Sequence, residues 1–446
     1  MEKSVVHIVH CIDTEGPLYE SLSATFERLK EIFGIEIEPS SANLRKLQNK
    51  EIDLGGKEGD VAKVVDPKLL SYNDSWDKVD NMLSKIMSHE YRNTVKDSFG
   101  NGWVYNWFCM DHVGFKINPR RRDIGYHNIY DHYLEVIKNT KSVQDGIHFH
   151  HHPVPFTEEA HHPATHLFSH TPVIYEILAR RIIERQWFSC VSRPGFHSTR
   201  PDSHWFLEQF IPFDYANQAT GEDYSAYKDL SGGRFGDWRR APKTWTPYHP
   251  DHDDYQKEGN CRRLIARTLN VGTRSRLICE QDIEHAFVEA SEGKPVVLSF
   301  THHDYRDMEP DINCIRDMIA CVAKKHPEIQ FSFCEARDAF RKALRLEECE
   351  PVKFKIEWDK NRLQIAADNP IYGPQPFLAI KTKCGRFYHD NLDFQVPFTE
   401  WSYVFDDITL QLSSIGVIGI GACDATGNVT VALIYPETNK IVQTCY

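Results

Sequence analysis

Short apolar runs separated by polar punctuation recur along most of the chain. Seven stand out up to about residue 345: "VVHIVHCID", "WVYNWFCMD", "GIHFH", "WFSCVS", "PFDYA", "PVVLSF" and "IQFSF". Several are continuously apolar, as strands buried on both faces of a parallel sheet are. Between them, "TPVIYEILARRIIERQ", "RPDSHWFLEQF" and "DINCIRDMIACVAKKHPE" read as helices. Strand–helix alternation over this length predicts an α/β barrel or a doubly wound sheet. Two intervals, roughly 36–100 and 219–280, are poor in regular pattern. Loops that long in a compact domain usually cover a site.

Near "LEECEPVKF" the pattern changes. "VKFKIEW", "RLQIAAD", "FLAIKTK", "WSYVFDD" and "VTVALIY" are short, partly alternating, and separated by Asn, Asp, Gly and Pro. They predict a second, all-β domain over 349–446, sandwich-like, after a first domain of 1–348.

The composition narrows the class. The chain has 446 residues, with 52 basic against 64 acidic side chains and a net charge of −12. That balance disfavours nucleic acid as a partner. The first apolar run is broken by His7 and His10, and no segment reaches spanning length, so a cytoplasmic location extending to the inner face of the membrane is expected. Twelve cysteines are scattered without a Cys-x-x-Cys pair, and Cys11, Cys109, Cys190 and Cys334 lie in apolar runs. They read as reduced core thiols and not as a cysteine-rich zinc site.

The candidate chemistry gathers at the ends of these runs. Asp13 and Glu15 follow the first, His148 to His152 end the third, Arg193 follows the fourth, and His302 and His303 follow the sixth. Parallel barrels build their sites at the C-terminal ends of several strands at once. Residues i and i+2 share a strand face about 6.6 Å apart, so Asp13 and Glu15 could enter one pocket as a base and a metal ligand. His148 and His150 share a face in the same way. His148 and His152, roughly 13 Å apart on a straight strand, meet at one ion only if the chain turns. Pro153 and Pro155 favour such a turn. His161 and His162 read as loop residues. No Gly-x-Ser-x-Gly motif supports a serine hydrolase.

In this order on one chain, the motifs resemble the polysaccharide deacetylase family, carbohydrate esterases of the NodB-homology type. The likeness covers most of residues 4–345. It implies a distorted seven-stranded (β/α) barrel, here followed by the C-terminal β domain. "IDTEGP" resembles the motif that supplies a base and a metal carboxylate, which assigns Asp13 as base and Glu15 as ligand, with glutamate where aspartate is more common. "IHFHHHP" is similar to the His-x-x-x-His motif, carrying His148 and His152 as ligands. Relatives with His-x-His would use His150 in place of His152. "SRPGFHS" looks like the motif whose arginine orients the base, hence Arg193. "SFTHHDYRDM" is similar to the motif with the general-acid histidine, and the following Asp-Tyr-Arg favours His303 over His302. "GDWRRAPKTWTPYHP" resembles a pocket loop, so Trp238 and Tyr248 are expected to touch sugar.

The resemblance further implies one divalent metal ion, most simply zinc. It implies hydrolysis of an N-acyl group, acetyl above all, from a nucleotide- or lipid-linked sugar in surface polysaccharide (lipopolysaccharide O-antigen) synthesis. Two alternatives stand beside it: a glycan-binding protein on the same barrel without catalysis, and a glycoside hydrolase using two carboxylates.

Overall fold

A computed structural model describes residues 4–152, 158, 172–221 and 236–446. His161 and His162 lie outside the described residues. Eight parallel strands make the first sheet: β1 (Val5–Thr14), β2 (Tyr105–Met110), β3 (Gly146–His151), β4 (Val191–Pro194), β5 (Phe213–Asn217), β6 (Leu264–Asn270), β7 (Val296–His303) and β8 (Gln330–Phe333). β1 to β7 close into a seven-stranded barrel with helices between the strands. β1 is the longest of them and serves three neighbours. β7 runs along one edge, while β8 takes Val5–Ile8 of the other edge and β2 takes His10–Thr14.

The barrel and its strand number match the sequence pattern, but the membership of the ring differs. "IQFSF" forms β8, outside the closed ring, and β6 arises inside the patternless interval 219–280. Arg267, Thr268 and Asn270 hide β6 from a reading of hydrophobicity, yet all seven of its residues are buried. Each polar side chain is satisfied inside: Arg267 donates to the Ala219 carbonyl at 2.7 Å, Thr268 meets the Ser299 hydroxyl at 2.7 Å, and Asn270 accepts from Gln218 at 2.8 Å. The interval 36–100 is also structured. Its helices Ser41–Gln48 and Glu58–Val64 place Leu47 and Val61 in a small core with Phe26 and Leu29.

The C-terminal region forms two antiparallel sheets. β9 (Phe354–Asp359), β10 (Arg362–Ala367), β13 (Asp393–Val396) and β14 (Glu400–Val404) make one, ordered β13-β14-β10-β9. β11 (Phe377–Thr382), β12 (Phe387–Asp390), β15 (Ile415–Cys423), β16 (Val429–Tyr435) and β17 (Lys440–Cys445) make the other, ordered β12-β11-β15-β16-β17. Leu363, Ile365 and Trp401 of the first sheet share a core with Leu378, Ile418 and Ile420 of the second, which makes a sandwich. The second sheet buries its other face too, placing Phe377, Ala379 and Leu433 against Ile177, Leu178 and Ile182 of the helix Val173–Arg185. Alternation along β11 therefore feeds two cores from one strand. Among the described residues no helix is long and apolar enough to cross a membrane.

The close fit between sheet and helix depends on Gly419 and Gly421, where an added Cβ would stand 2.5 and 2.8 Å from Ile182. Gly421→Val should therefore overpack this contact and destabilise the chain by about 1–3 kcal/mol. A lowered urea midpoint at unchanged slope would show it.

Candidate metal centre

The register of the barrel sets the positions. Asp13 of β1 lies beside His303 of β7, and His150 of β3 lies beside Arg193 of β4. All four side chains belong to the C-terminal end of the barrel. Asp13 and Arg193 meet as a buried ion pair. Arg193 Nε donates to Asp13 Oδ1 at 2.5 Å, and Nη2 stands 3.3 Å from Oδ2. Nη1 donates to the Tyr215 carbonyl at 2.7 Å and Nη2 to His197 Nδ1 at 2.7 Å, so β1, β5 and the turn after β4 all hold the guanidinium. His303 Nε2 lies 3.6 Å from Asp13 Oδ2. Burial holds His303 well below the usual imidazole range, with the Asp13 carboxylate opposing.

The histidine run divides by the pleat. His151 faces out of the barrel, stacked on Phe149 at 5.0 Å. His150 faces in, and its Nδ1 lies 2.9 Å from the Arg193 carbonyl. A carbonyl only accepts, so the N–H sits on Nδ1 and Nε2 is left with its lone pair exposed to the pocket. His152 follows the end of β3, and its Nε2 comes 3.0 Å from that of His150. Glu15 completes the group: one ligand atom from each of Glu15, His150 and His152 lies within 4.8 Å of the others. Burial, then neighbouring positive charge, pushes both imidazoles well below their usual range. They are neutral at pH 7, the form that binds metal.

This donor set suits a divalent ion. Two imidazoles and a carboxylate are a familiar zinc set, and they also fit other first-row metals. Two nitrogens each about 2.1 Å from a tetrahedral ion would lie roughly 3.4 Å apart, close to the spacing here.

His148, the histidine expected first as a ligand, is outside this group. It faces inward one pleat deeper, about 6.6 Å back along the strand. There its Nε2 lies 3.0 Å from Glu335 Oε1 and 3.3 Å from Asn106 Oδ1. Glu335, just beyond the end of β8, claims the ring. Burial works against the Glu335 charge, but His148 and Arg337 outweigh it and hold that carboxyl down at about 2. His152, the residue just after β3, meets His150 and not His148.

His302 and the pocket-loop aromatics also take other places. His302 points away from Asp13 and lies 3.0 Å from Asp311 Oδ2. Trp238 and Tyr248, expected to touch sugar, are buried side chains of one small cluster. The Trp238 indole donates to the His197 carbonyl at 2.8 Å and the Tyr248 hydroxyl to the Tyr255 carbonyl at 2.6 Å. Their polar handles are spent on backbone, so they brace the loop.

Several site residues carried no sequence signal. Asp304 is fully buried and accepts from the Glu15 and Gly16 amides at 2.9 and 2.8 Å and from the Tyr133 hydroxyl at 2.8 Å, fixing the turn that aims Glu15. Burial pushes its carboxyl up to about 7 against those bonds. Arg122, one of three arginines in a row, lies with Nη1 2.6 Å from Glu15 Oε2. Burial raises the Glu15 carboxyl and Arg122 opposes the rise. His197 belongs to "SRPGFHS", but its spacing of four from Arg193 suggests no role by itself.

No family model, curated protein or solved structure matches the chain. The site therefore rests on its own geometry.

That geometry gives "SRPGFHS" a second function. A Cβ on Gly195 would fall 2.1 Å from the His152 ring, so only glycine leaves His152 its place. Gly195→Ala should displace His152 and weaken divalent-metal affinity by roughly tenfold to a hundredfold, the scale on which supporting residues act. Competition against a chromophoric chelator would measure it. An unchanged affinity would remove His152 from the ligand set.

Proposed function

We propose that the chain is a metal-dependent hydrolase that removes an N-acyl group, acetyl in the first instance, from a sugar. The observation that carries this reading is the position of the Asp13–Arg193 pair, which stands beside the Glu15–His150–His152 group with His303 on its far side. An acid–base pair and a metal-ligand group within one pocket are what amide hydrolysis by water requires. The likeness of the motifs to the polysaccharide deacetylase family supports the same chemistry, and with it an acylated sugar of surface polysaccharide synthesis as substrate.

Zinc is the metal this donor set favours, held by Glu15, His150 and His152. Such an ion, when bound, polarises the acyl carbonyl and acidifies water. The protein's own groups handle the protons. Asp13, held in orientation by Arg193, accepts the proton of the attacking water as its oxygen bonds to the acyl carbon. His303 Nε2, neutral at rest and 3.6 Å from Asp13 Oδ2, takes up that proton and delivers it to the nitrogen as the C–N bond breaks, which yields a free amine and a carboxylic acid that ionises. Arg193, bonded to both oxygens of Asp13, holds that carboxylate in one rotamer.

Acetate release from N-acetylated sugars should require a divalent ion and fall by about 10²–10⁴ in Asp13→Asn, the usual contribution of a positioned base. A coupled acetate assay with a melting curve for each protein separates chemistry from folding. Full acetate release by a folded Asp13→Asn protein would refute the assignment.

A further inference from the structure

Beside Glu15, the helix Leu22–Phe33 and the loops after β2 and β7 bring four guanidinium groups together as one wall: Arg28, Arg120, Arg122 and Arg306. Among the described residues, two carboxylates pair with them. Arg122 is paired to Glu15 at 2.6 Å, and Arg28 and Arg120 reach Glu20 at 2.9 and 3.4 Å. Arg306 donates to the Leu69 carbonyl at 3.1 Å and lies over the rings of Tyr72 and Tyr305.

Glu20 has no capacity left. A carboxylate offers about four lone-pair positions. Oε1 accepts from the Thr25 hydroxyl at 2.9 Å and faces Arg28, while Oε2 accepts from the Tyr72 hydroxyl at 3.2 Å and faces Arg120. Nε of Arg28, of Arg120 and of Arg122 are all buried and have no acceptor among the described residues. The side chains keep only 11%, 12% and 9% of their surface exposed, so bulk water reaches little of them. Three buried donors on one wall, with positive charge in excess, define a site for a group that brings several acceptor oxygens and negative charge.

We infer that this wall is an oxyanion subsite that reads an anionic substituent, a phosphate or a sugar carboxylate, on the substrate of the neighbouring centre. What it says of substrate rests on the hydrolase reading; the binding of an oxyanion does not. Arg122 touches Glu15, so the anion and the reacting acyl group belong to the same or adjoining sugar units. Guanidinium forks match both oxyanions in shape, and the net charge of −12 makes this concentration of arginine a local exception.

The test is calorimetric titration of the full chain, stripped of metal so that an ion cannot hold the anion. The probes are inorganic phosphate, glucuronate, N-acetylglucosamine 1-phosphate and neutral N-acetylglucosamine. At least one anionic probe should bind tenfold or more tightly than the neutral sugar, and Arg120→Gln should cost it about tenfold to a hundredfold. Preference for the phosphates over glucuronate assigns the source as phosphate, and the reverse assigns a uronate. Arg28→Lys, which keeps charge but loses the fork, should fall between. Should Arg120→Gln fail to fold, phosphate protection of the unmodified chain against thermal unfolding answers the same question. Equal binding of charged and neutral probes, with no thermal protection by phosphate, would mean that water fills these donors and would overturn the subsite. Anion binding without acetate release would instead sink the hydrolase reading and leave the subsite standing.

Discussion

The Asp13–Arg193 ion pair across the barrel interior is the contact on which the rest of the site depends. Both residues are almost entirely removed from water, at 3% and 0% exposure. Burying two charges costs several kcal/mol per ion, and the loss is recovered only when geometry is good and the remaining donors are used. Here they are used, by the Tyr215 carbonyl and by His197. The consequences spread outward. The backbone carbonyl of the same Arg193 fixes the tautomer of His150, and Asp13 is the nearest charge to His303. Removing either partner would strand a buried charge, at a cost of about 3–5 kcal/mol. One ion pair thus joins the acid–base groups to the metal-ligand group through β4.

β4 is short, and the turn after it is strained. Phe196 and His197 are consecutive non-glycine residues in the left-handed region, at φ 54° and 51°. Each such residue costs of order 1–2 kcal/mol and persists only where its surroundings insist on it. Those surroundings are visible. The His197 ring takes a donor from Arg193, its carbonyl takes the Trp238 indole, and the Phe196 ring packs edge-on against His152 at 4.9 Å. Gly236 approaches the His197 carbonyl so closely that a Cβ there would collide with it. The pocket loop is clamped onto the end of β4, and that clamp holds His152 beside His150.

The elements of the barrel and the strand-end location of the reactive groups were legible because both are written in apolar periodicity. The alternation of β1 and β7 also separates His303 from His302, since Asp13 and His303 lie opposite each other on the inward face. Three things were hidden. β6 was hidden because its polar residues find their partners in other segments, on β7 and just past the end of β5. The fate of His148 depended on Glu335, which is 187 positions away in sequence and is brought near only by closure of the barrel. Trp238 and Tyr248 have the composition of a sugar-binding surface, but whether an indole N–H meets a ligand or a backbone carbonyl is decided by the path of a loop. Residue type restricts the chemistry a position can do, and long-range contact decides whether it does it.

Charge stoichiometry separates the arginine wall from most buried guanidinium groups of the barrel domain; among the described residues Arg316 is also buried without a carboxylate, held by Asn313 and the Tyr91 carbonyl. Three buried arginines elsewhere in the barrel domain each have a carboxylate of their own: Arg92 with Asp145, Arg181 with Asp111, Arg263 with Asp214. Arg92 shows what a settled buried guanidinium looks like. Its Nε and both terminal nitrogens reach the Met87 and Trp103 carbonyls, the Ser142 hydroxyl and both oxygens of Asp145. The wall beside Glu15 is built from the same residue type but breaks this pairing, with four guanidinium groups to two carboxylates. An anion arriving beside the metal-ligand group would complete that count, which is the role the oxyanion subsite assigns to it.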